Sequence, residues 1–299
     1  MDRLESMALL VAVVEAGGLS AASRKLGAPL PTISRKISQL EAHLNTRLLT
    51  RSTRKLALTE SGAAYVAAAR RILDEVSEAE RAASGEHASP RGDLVITAPI
   101  VFGRLHVLPV IAEFLIRWPE INVRLLLNDH NLHLIDDRVD IAARIGALAD
   151  SSLVSTRVGS VRRVVCGSPA YFAEHSVPKR PQDLSALTAV TFDQLPPSEH
   201  WTFRDPRSKR EIHAPVRSRL AVNTAEAAID GAAAGLGVTR VLSYQVAEAV
   251  ADGRIEIVLG DYEPEPSPVS LIHVGQGLTP LKVRMFLDFA ALRLRARLA

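Results

Sequence analysis

Hydroxyl-bearing and cationic side chains cluster in two short stretches near the amino terminus. They are Thr32, Ser34, Arg35 and Lys36, followed by Arg51, Arg54 and Lys55. Arginine can donate two parallel hydrogen bonds to guanine in the major groove of DNA, and Ser or Thr can bond a base or a phosphate. We therefore expect Arg35 to contact a base edge, with Ser34 and Thr32 beside it. The remaining four cations are expected to contact phosphates, which fixes position without reading sequence.

The positive charge of the chain is concentrated around these residues. Residues 20–58 contain eight Lys or Arg and one acid, a net charge of +7, whereas the whole chain of 299 residues carries only +3. The rest of the chain is therefore negative, at −4. A localised positive surface on a nearly neutral protein is typical of a binding site for a polyanion. A merely solvated charged face is the alternative, and the helical pattern beneath the charges favours the first interpretation.

Short helices are predicted to position the first stretch. One helix covers about 4–14, a second covers 20–26, and Pro31 is acceptable in the first turn of a third. In that third helix the apolar side chains recur at helical spacing, at Ile33, Ile37, Leu40 and Leu44. Their opposite face then carries Thr32 and Arg35 outward. Two short helices joined by a tight turn, with a basic outward face, predict a helix-turn-helix.

A β-ribbon is predicted after the third helix, over residues 48–58. Its tip carries Arg51, Arg54 and Lys55, so that it can reach phosphates or the minor groove as a wing. One long helix should then cover about 59–84, with an apolar seam from Tyr65 to Ala83. Such a seam fits two copies of the helix packed together, and it fits a helix packed on its own domain equally well. A Gly-, Ser- and Pro-containing linker follows at 84–92.

Strand and helix patterns alternate from Asp93 onward. A buried strand at 94–98, a helix at 103–118 and several further strand–helix repeats predict open α/β sheets with helices on their faces. Some 200 residues of this pattern indicate two lobes, 92–161 with 265–299 and 162–264. In such sheets a ligand binds in the crevice at the carboxyl ends of the strands.

Residues at predicted strand ends are the candidate ligand contacts. Thr97, Ala98, Pro99 and Ile100, with Phe102 close behind, stand between a strand and a helix start that favours an anion such as a carboxylate. Arg144, at the end of another strand, could pair with that anion. Asn223 and Thr224 could close the crevice from the second lobe. The alternatives are that Arg144 only braces a loop and that Thr224 only caps a helix.

The sequence gives little indication of metal binding, of a reactive cysteine or of catalysis. His130 and His133 are three residues apart but lack a third ligand, so loop residues are expected rather than a metal site. The single cysteine, Cys166, excludes an internal disulfide and lies in an apolar strand, which favours an inert buried thiol. No Ser-nucleophile elbow, dinucleotide fingerprint or Walker loop occurs. We therefore expect neither an enzyme nor a cofactor or metal.

The amino-terminal apolar segment does not have the pattern of a signal peptide. Residues 7–14 are apolar, but acidic Asp2 and Glu5 precede them and Glu15 ends the run after about two turns. A secretory signal has a positive leading segment, and a membrane helix needs roughly 20 apolar residues. These observations predict a cytoplasmic protein without a membrane partner.

The ordered series of motifs resembles the LysR-type transcriptional regulators over nearly the whole chain. The most specific segments are LSAASRKLG, PTISRKISQLE, the wing segment LLTRSTR and LTESG, and weaker ones are TAPIVFG, VDIAARIG and GAAAGLGV. The resemblance implies a winged helix-turn-helix over 1–58, a linker helix for dimerisation with a hinge over 59–91, and an effector-binding domain over 92–299. That domain would resemble the two-lobed periplasmic binding proteins.

The resemblance also implies partners. They are promoter or operator DNA, a small-molecule effector, a second subunit in a dimer that pairs into a homotetramer, and RNA polymerase if the regulator activates. Two positions depart from the family pattern. Leu30 stands where many relatives have Gln, which leaves only an apolar contact there, and Thr239 to Val241 replace a segment that commonly contains proline. The alternative functions are a small-molecule-binding protein without direct gene control and an enzyme on the two-lobed fold.

Overall fold

The computed structural model describes residues 2–51, 56–83, 89–129, 134, 137, 139–148, 153–192, 200–275 and 279–298. The chain divides into two compact units, Met1–Pro90 and Arg91–Ala299. Each unit has hydrophobic clusters of its own.

Three short helices form the body of the first unit: α1 (Arg3–Glu15), α2 (Leu19–Leu26) and α3 (Leu30–His43). The Asp2 carboxylate caps α1 by accepting the Glu5 N–H at 3.2 Å. Gly27 ends α2 in the left-handed conformation, with φ of 63°, which glycine adopts without steric cost. The buried side chains that join the helices include Leu10, Val13, Ala22, Ile33, Ile37 and Leu40. The predicted apolar stripe of the third helix is confirmed.

A two-stranded ribbon follows, β1 (Leu49–Arg51) antiparallel to β2 (Leu56–Leu58). The next element, α4 (Glu60–Ala83), is one unbroken helix of 24 residues. Its first half packs on α1: Val66 and Ala69 are buried, and Arg70 forms an ion pair with Glu15 at 3.3 Å. Ile72, one turn further on, is 38% exposed. The first half of the seam therefore packs within its own domain, whereas the Ile72 side chain is exposed.

The second unit contains both strands and helices along its length, as the sequence predicts, although several strands follow one another directly. Its strands are β3 (Gly92–Ala98), β4 (Ile121–Leu127), β5 (Ile141–Ile145), β6 (Leu153–Val161), β7 (Arg163–Gly167), β8 (Thr188–Phe192), β9 (His200–Arg204), β10 (Glu211–Pro215), β11 (Arg217–Val222), β12 (Thr239–Leu242), β13 (Glu256–Val258) and β14 (Ser267–Val274). Its α-helices are α5 (Ile100–Phe102), α6 (Leu108–Arg117), α7 (Pro169–His175), α8 (Ala225–Ala233), α9 (Ser243–Ala251) and α10 (Leu281–Leu298). A π-helical turn, Gly103–Val107, joins α5 to α6.

The strands form two groups. The first lobe has a mixed five-stranded sheet in the order β4-β3-β5-β14-β6, in which β3 is parallel to β4 and β5 while β14 is antiparallel to β5 and β6. Its core packs against α6 and α10. In the second lobe β7 lies between β12 and β13, and β8 is parallel to β11. The Val190 N–H donates to the Val238 carbonyl at 2.8 Å and the Val238 N–H donates to the Thr188 carbonyl at 2.9 Å, which joins these two sheets.

The two-lobed α/β class is confirmed, but several details differ from the expectation, including the additional strands β6 and β8. The helix after β3 begins at Ile100 instead of Gly103, because Pro99 accepts the Gly103 N–H at 2.7 Å and so starts the first turn. The antiparallel hairpin β9–β10 was not anticipated. The residues before this hairpin have the composition of a loop, and for this reason no strand pattern was identified there.

Among the described residues, no single helix is both long enough and apolar enough to cross a membrane. The pair α1 and α2 meets the length and composition criteria only when taken together, and these helices are bent by 113° at the break between them.

Candidate nucleic-acid interface and effector cleft

The outward side of α3 carries the predicted base-reading residues. Arg35 is exposed, and Thr32 and Ser34 are partly buried beside it. The opposite side is fixed in the core through Ile33 and Ile37. Because the buried stripe sets the rotation of the helix, the Arg35 side chain is exposed to solvent on the opposite side.

Lys36 is placed differently from its neighbours. Its ammonium group forms a close ion pair with Glu5 of α1, and its side chain is 24% exposed. The sequence predicted a phosphate contact here, whereas the structure gives Lys36 a partner inside its own domain. The ion pair between Lys36 and Glu5 therefore links α3 to α1.

The wing cations fall largely outside the described part of the chain. The Arg51 backbone ends β1, but its side chain and the residues Arg54 and Lys55 are not among those that the structure describes. What the structure describes is the base of the ribbon, where Leu49 pairs with Leu58.

Glu41 anchors the start of the wing, a role that the sequence analysis missed. Its Oε1 accepts the backbone N–H of Leu48 at 2.8 Å and of Leu49 at 3.0 Å. A carboxylate that accepts two backbone donors makes charge-assisted hydrogen bonds, which are stronger than neutral ones. The available signal was that Glu41 is the single acid among the cations of 20–58.

The wing and the linker helix meet at Thr59 and Gly62. The Thr59 hydroxyl donates to the Arg47 carbonyl at 2.7 Å and accepts the Gly62 N–H at 2.9 Å, which caps α4. A Cβ at Gly62 would overlap the Leu48 carbonyl oxygen. The glycine therefore permits close approach of α4 to the wing.

At the end of β3, most of the residues predicted to contact the effector are buried or hydrogen-bonded to other groups of this chain. Thr97 is fully buried, and its hydroxyl donates to the Leu126 carbonyl at 2.9 Å. Ala98 is also fully buried. The Ile100 N–H, the first of the following helix, donates to Asp129 Oδ1 at 3.0 Å. The position expected to favour an external anion therefore holds a carboxylate of this chain, which the sequence analysis did not identify.

Phe102 lies in the core rather than in the crevice. Its ring is fully buried, with its centroid 4.9 Å from that of His106 and 5.6 Å from that of Tyr244. Neither His106 Nε2 nor Tyr244 Oη has a hydrogen-bond partner among the described residues. Burial lowers the pKa of His106, with a smaller contribution from Arg297, and burial raises the pKa of Tyr244. Both rings are therefore neutral at physiological pH.

Arg144 and Thr97 lie on the same side of the first sheet. Thr97 is opposite Ala142 in the β3–β5 pairing, and Arg144 is two residues further along β5, so its side chain emerges on the same face. The side chain is buried, and burial lowers its pKa from the usual value for arginine. The guanidinium nevertheless remains charged at physiological pH.

The second lobe contributes the start of α8. Thr224 caps this helix by accepting the Ala227 N–H at 3.3 Å, as its alternative role predicted, and Asn223 before it is exposed. Glu226 in the first turn lies 3.9 Å from Arg104 of the first lobe. This ion pair and the Val101 side chain, which packs into the core of the second lobe, connect the lobes near the predicted crevice.

Cys166 and the histidine pair were the other candidates for chemistry. Cys166 is fully buried, and burial raises the pKa of its thiol to about 12, so it is almost entirely protonated at neutral pH. Within the described part of the chain, no three His, Cys, Asp or Glu side chains lie close enough together to hold a metal ion. His130 and His133 lie outside the described residues.

Comparison with known families matches both units. Residues 4–63 match the model of the bacterial regulatory helix-turn-helix protein, LysR family, and residues 87–295 match that of the LysR substrate binding domain. An HTH-type transcriptional regulator of Xanthomonas campestris is 34% identical over 97% of this chain and 85% of its own length. The HTH-type transcriptional activator AaeR of Escherichia coli is 31% identical over 96% of this chain and 93% of its own.

Solved structures agree with this assignment. CrgA of Neisseria meningitidis, a LysR-type transcriptional regulator, is 28% identical with a TM-score of 0.61, over 97% of this chain and 98% of that one. The full-length virulence activator AphB of Vibrio cholerae is 27% identical with a TM-score of 0.60, over 96% and 98% of the two chains. The chain belongs to the LysR family of transcriptional regulators, with an amino-terminal DNA-binding domain and a carboxy-terminal effector-binding domain.

Proposed function

We propose that this regulator reads its operator with α3, using Arg35 at a guanine and Ser34 and Thr32 at neighbouring bases or phosphates. The observation that carries the proposal is the exposed Arg35 on a helix whose opposite face is locked in the core. Arg51, Arg54 and Lys55 of the wing bind phosphates. The main role of Lys36 is to link α3 to α1 through its ion pair with Glu5, and a contact with phosphate is its minor role.

Substitution of Arg35 tests the DNA-binding proposal. Full-length protein selects its site from random duplex DNA, and binding of that site is then measured by fluorescence anisotropy at fixed salt. Arg35→Ala is expected to cost roughly 1–3 kcal/mol and to relax the base preference at one position. Arg24→Ala on α2, an exposed cation outside α3, is the matched control and should leave that preference unchanged. Unaltered binding and selectivity by Arg35→Ala would contradict the assignment.

We further propose that an anionic small molecule binds between the lobes, near the ends of β3 and β5 and the start of α8. Arg144 supplies the positive charge, while Ile100, Pro99, Asn223 and Thr224 line the crevice. The buried Arg144 supports this proposal, because a charge in a partly desolvated site attracts an anion more strongly than an exposed one does. Thr97, Ala98 and Phe102 shape the site from beneath, since their side chains are buried.

A panel of small carboxylic acids and matched neutral amides tests the effector proposal. Isothermal titration should find acids that bind the full-length protein while their amides do not. Arg144→Gln should weaken the best acid at least tenfold. Arg217→Gln, an exposed arginine on β11, should leave its affinity unchanged. Equal affinity for acid and amide would contradict an anionic effector, and an unchanged affinity in Arg144→Gln would remove Arg144 from the site.

The proposal for the whole protein is a cytoplasmic, non-enzymatic regulator. We propose winged helix-turn-helix, linker and effector-binding segments at 1–58, 59–91 and 92–299, the last composed of lobes 92–161 with 265–299 and 162–264. Two subunits pair through α4, and dimers pair into homotetramers on promoter DNA. If the protein activates transcription, RNA polymerase is its further partner. The division of the fold at Pro90 and the separate strand groups of the two lobes support these boundaries.

A further inference from the structure

The leading turn of α3 is apolar on its surface. The helix begins at Leu30, which is 40% exposed, and Pro29 and Pro31 on either side are exposed as well. Pro31 has no N–H, and the N–H of Thr32 already donates to the Pro29 carbonyl at 2.9 Å. Side chains that can form hydrogen bonds therefore begin only at Thr32, one residue after the apolar tip.

The position of this tip matters because a recognition helix enters the major groove with its amino-terminal residues toward the base edges. Leu30 is the first residue of α3, ahead of Arg35, and so lies at the end of the helix that enters the groove. An aliphatic side chain can distinguish bases there by one group only. The C5 methyl of a pyrimidine, in thymine or in 5-methylcytosine, is the apolar feature of the major-groove edge.

We propose that Leu30 is a specificity-determining residue that packs against the C5 methyl group of a pyrimidine in the operator. The proposal rests on α3 being the recognition helix. Leu30 then supplies apolar discrimination at one base pair, while Arg35 supplies hydrogen-bonded discrimination at another. Burying the exposed Leu30 surface against a methyl group also removes apolar area from water, which adds affinity.

Replacing thymine by deoxyuridine tests the contact, because this change removes only the methyl group. After the site is selected with full-length protein, each thymine is replaced singly and binding is measured by anisotropy. One thymine per half-site should lose about fourfold in affinity, the effect of about one buried methyl group. Comparing cytosine with 5-methylcytosine at the same position separates the two sources of the methyl group.

Variants of Leu30 connect that loss to the side chain. Leu30→Ala should bind the thymine and deoxyuridine duplexes equally, and Leu30→Gln should shift the selected base toward adenine, which Gln contacts through N6 and N7. Leu30→Met is the matched control, since it keeps an aliphatic side chain and should keep the deoxyuridine effect. Thermal unfolding of each variant checks that the domain remains folded.

The outcomes separate this inference from the proposed function. A selected site in which no thymine is sensitive to deoxyuridine, or one whose sensitivity persists in Leu30→Ala, overturns the role of Leu30 and leaves α3 as the recognition helix. A selection that returns no enriched sequence overturns sequence reading by α3, and the role of Leu30 with it.

Discussion

Single side chains hold the DNA-binding domain together at points where no regular structure does so. Glu41 is the clearest case, because its carboxylate accepts two backbone N–H groups at the start of the wing. Lys36 is another, since its ion pair with Glu5 joins α3 to α1. These residues are polar and lie among the DNA-binding cations in sequence. Lys36 has the residue type expected of a phosphate contact, so its type alone could not reveal the ion pair, whereas Glu41 differs from its neighbours as the single acid of 20–58.

Removing the Glu41 carboxylate should loosen the wing. Glu41→Ala leaves the N–H groups of Leu48 and Leu49 without their acceptor, and such loss costs about 1–3 kcal/mol. We expect a lower melting temperature for the first unit and weaker DNA binding with unchanged base preference. Calorimetry and anisotropy measure the two effects. Glu80→Ala, which removes an exposed carboxylate of α4, is the control, and equal melting of the two variants would contradict the anchoring role.

The apolar periodicity of the sequence correctly predicts many of the helices and strands. The stripe of α3, the length of α4 and the strands β3, β5 and β11 follow from their sequences, because each has a regular apolar pattern. The hairpin β9–β10 and the start of the helix at Ile100 did not follow. The occupation of that helix start by Asp129 was also unpredictable, since it depends on a contact across 29 residues of sequence.

The apolar seam of α4 separates into two parts, and this separation predicts an effect on assembly. Val66 and Ala69 pack on α1, whereas Ile72 is exposed and is available to a second copy of the helix. Ile72→Glu should lower the mass of the full-length protein in sedimentation at micromolar concentration, because it places a charge in the proposed contact. The melting temperature should stay close to the wild-type value. An unchanged mass would contradict pairing through this part of α4, and Glu80→Ala is the matched surface control.

At the scale of the whole effector-binding domain, the chain passes between lobes twice, after β6 and before β14. Arg162 lies in the first crossing and Glu263 in the second, and Arg162 Nη1 lies 3.1 and 3.2 Å from the two carboxylate oxygens of Glu263. The Glu263 side chain is only 12% exposed. Burial raises the pKa of Glu263 above the usual value for glutamate, and Arg162 partly offsets this rise. The ion pair thus ties the two crossings together.

Loss of Arg162 should destabilise the domain in a pH-dependent manner. In Arg162→Ala the pKa of Glu263 rises further, so the charged carboxylate is disfavoured in the folded state. A raised pKa in the folded state favours folding at low pH, and this advantage is lost as the pH increases. The melting temperature of the variant relative to wild type should therefore be lowest near pH 7.5 and recover toward pH 5. A constant difference across this range, or an equal pH dependence in Arg162→Ala with Glu263→Gln, would contradict the explanation.

The Asp129 carboxylate at the start of α5 acts as a tethered competitor for any effector that would use the Ile100 N–H. A group attached to the same chain is present at an effective concentration of about millimolar or higher, whatever the amount of protein. An effector carboxylate aimed at this N–H must displace Asp129 and compensate for the lost bond. Asp129 thereby sets a threshold concentration for a ligand of this kind.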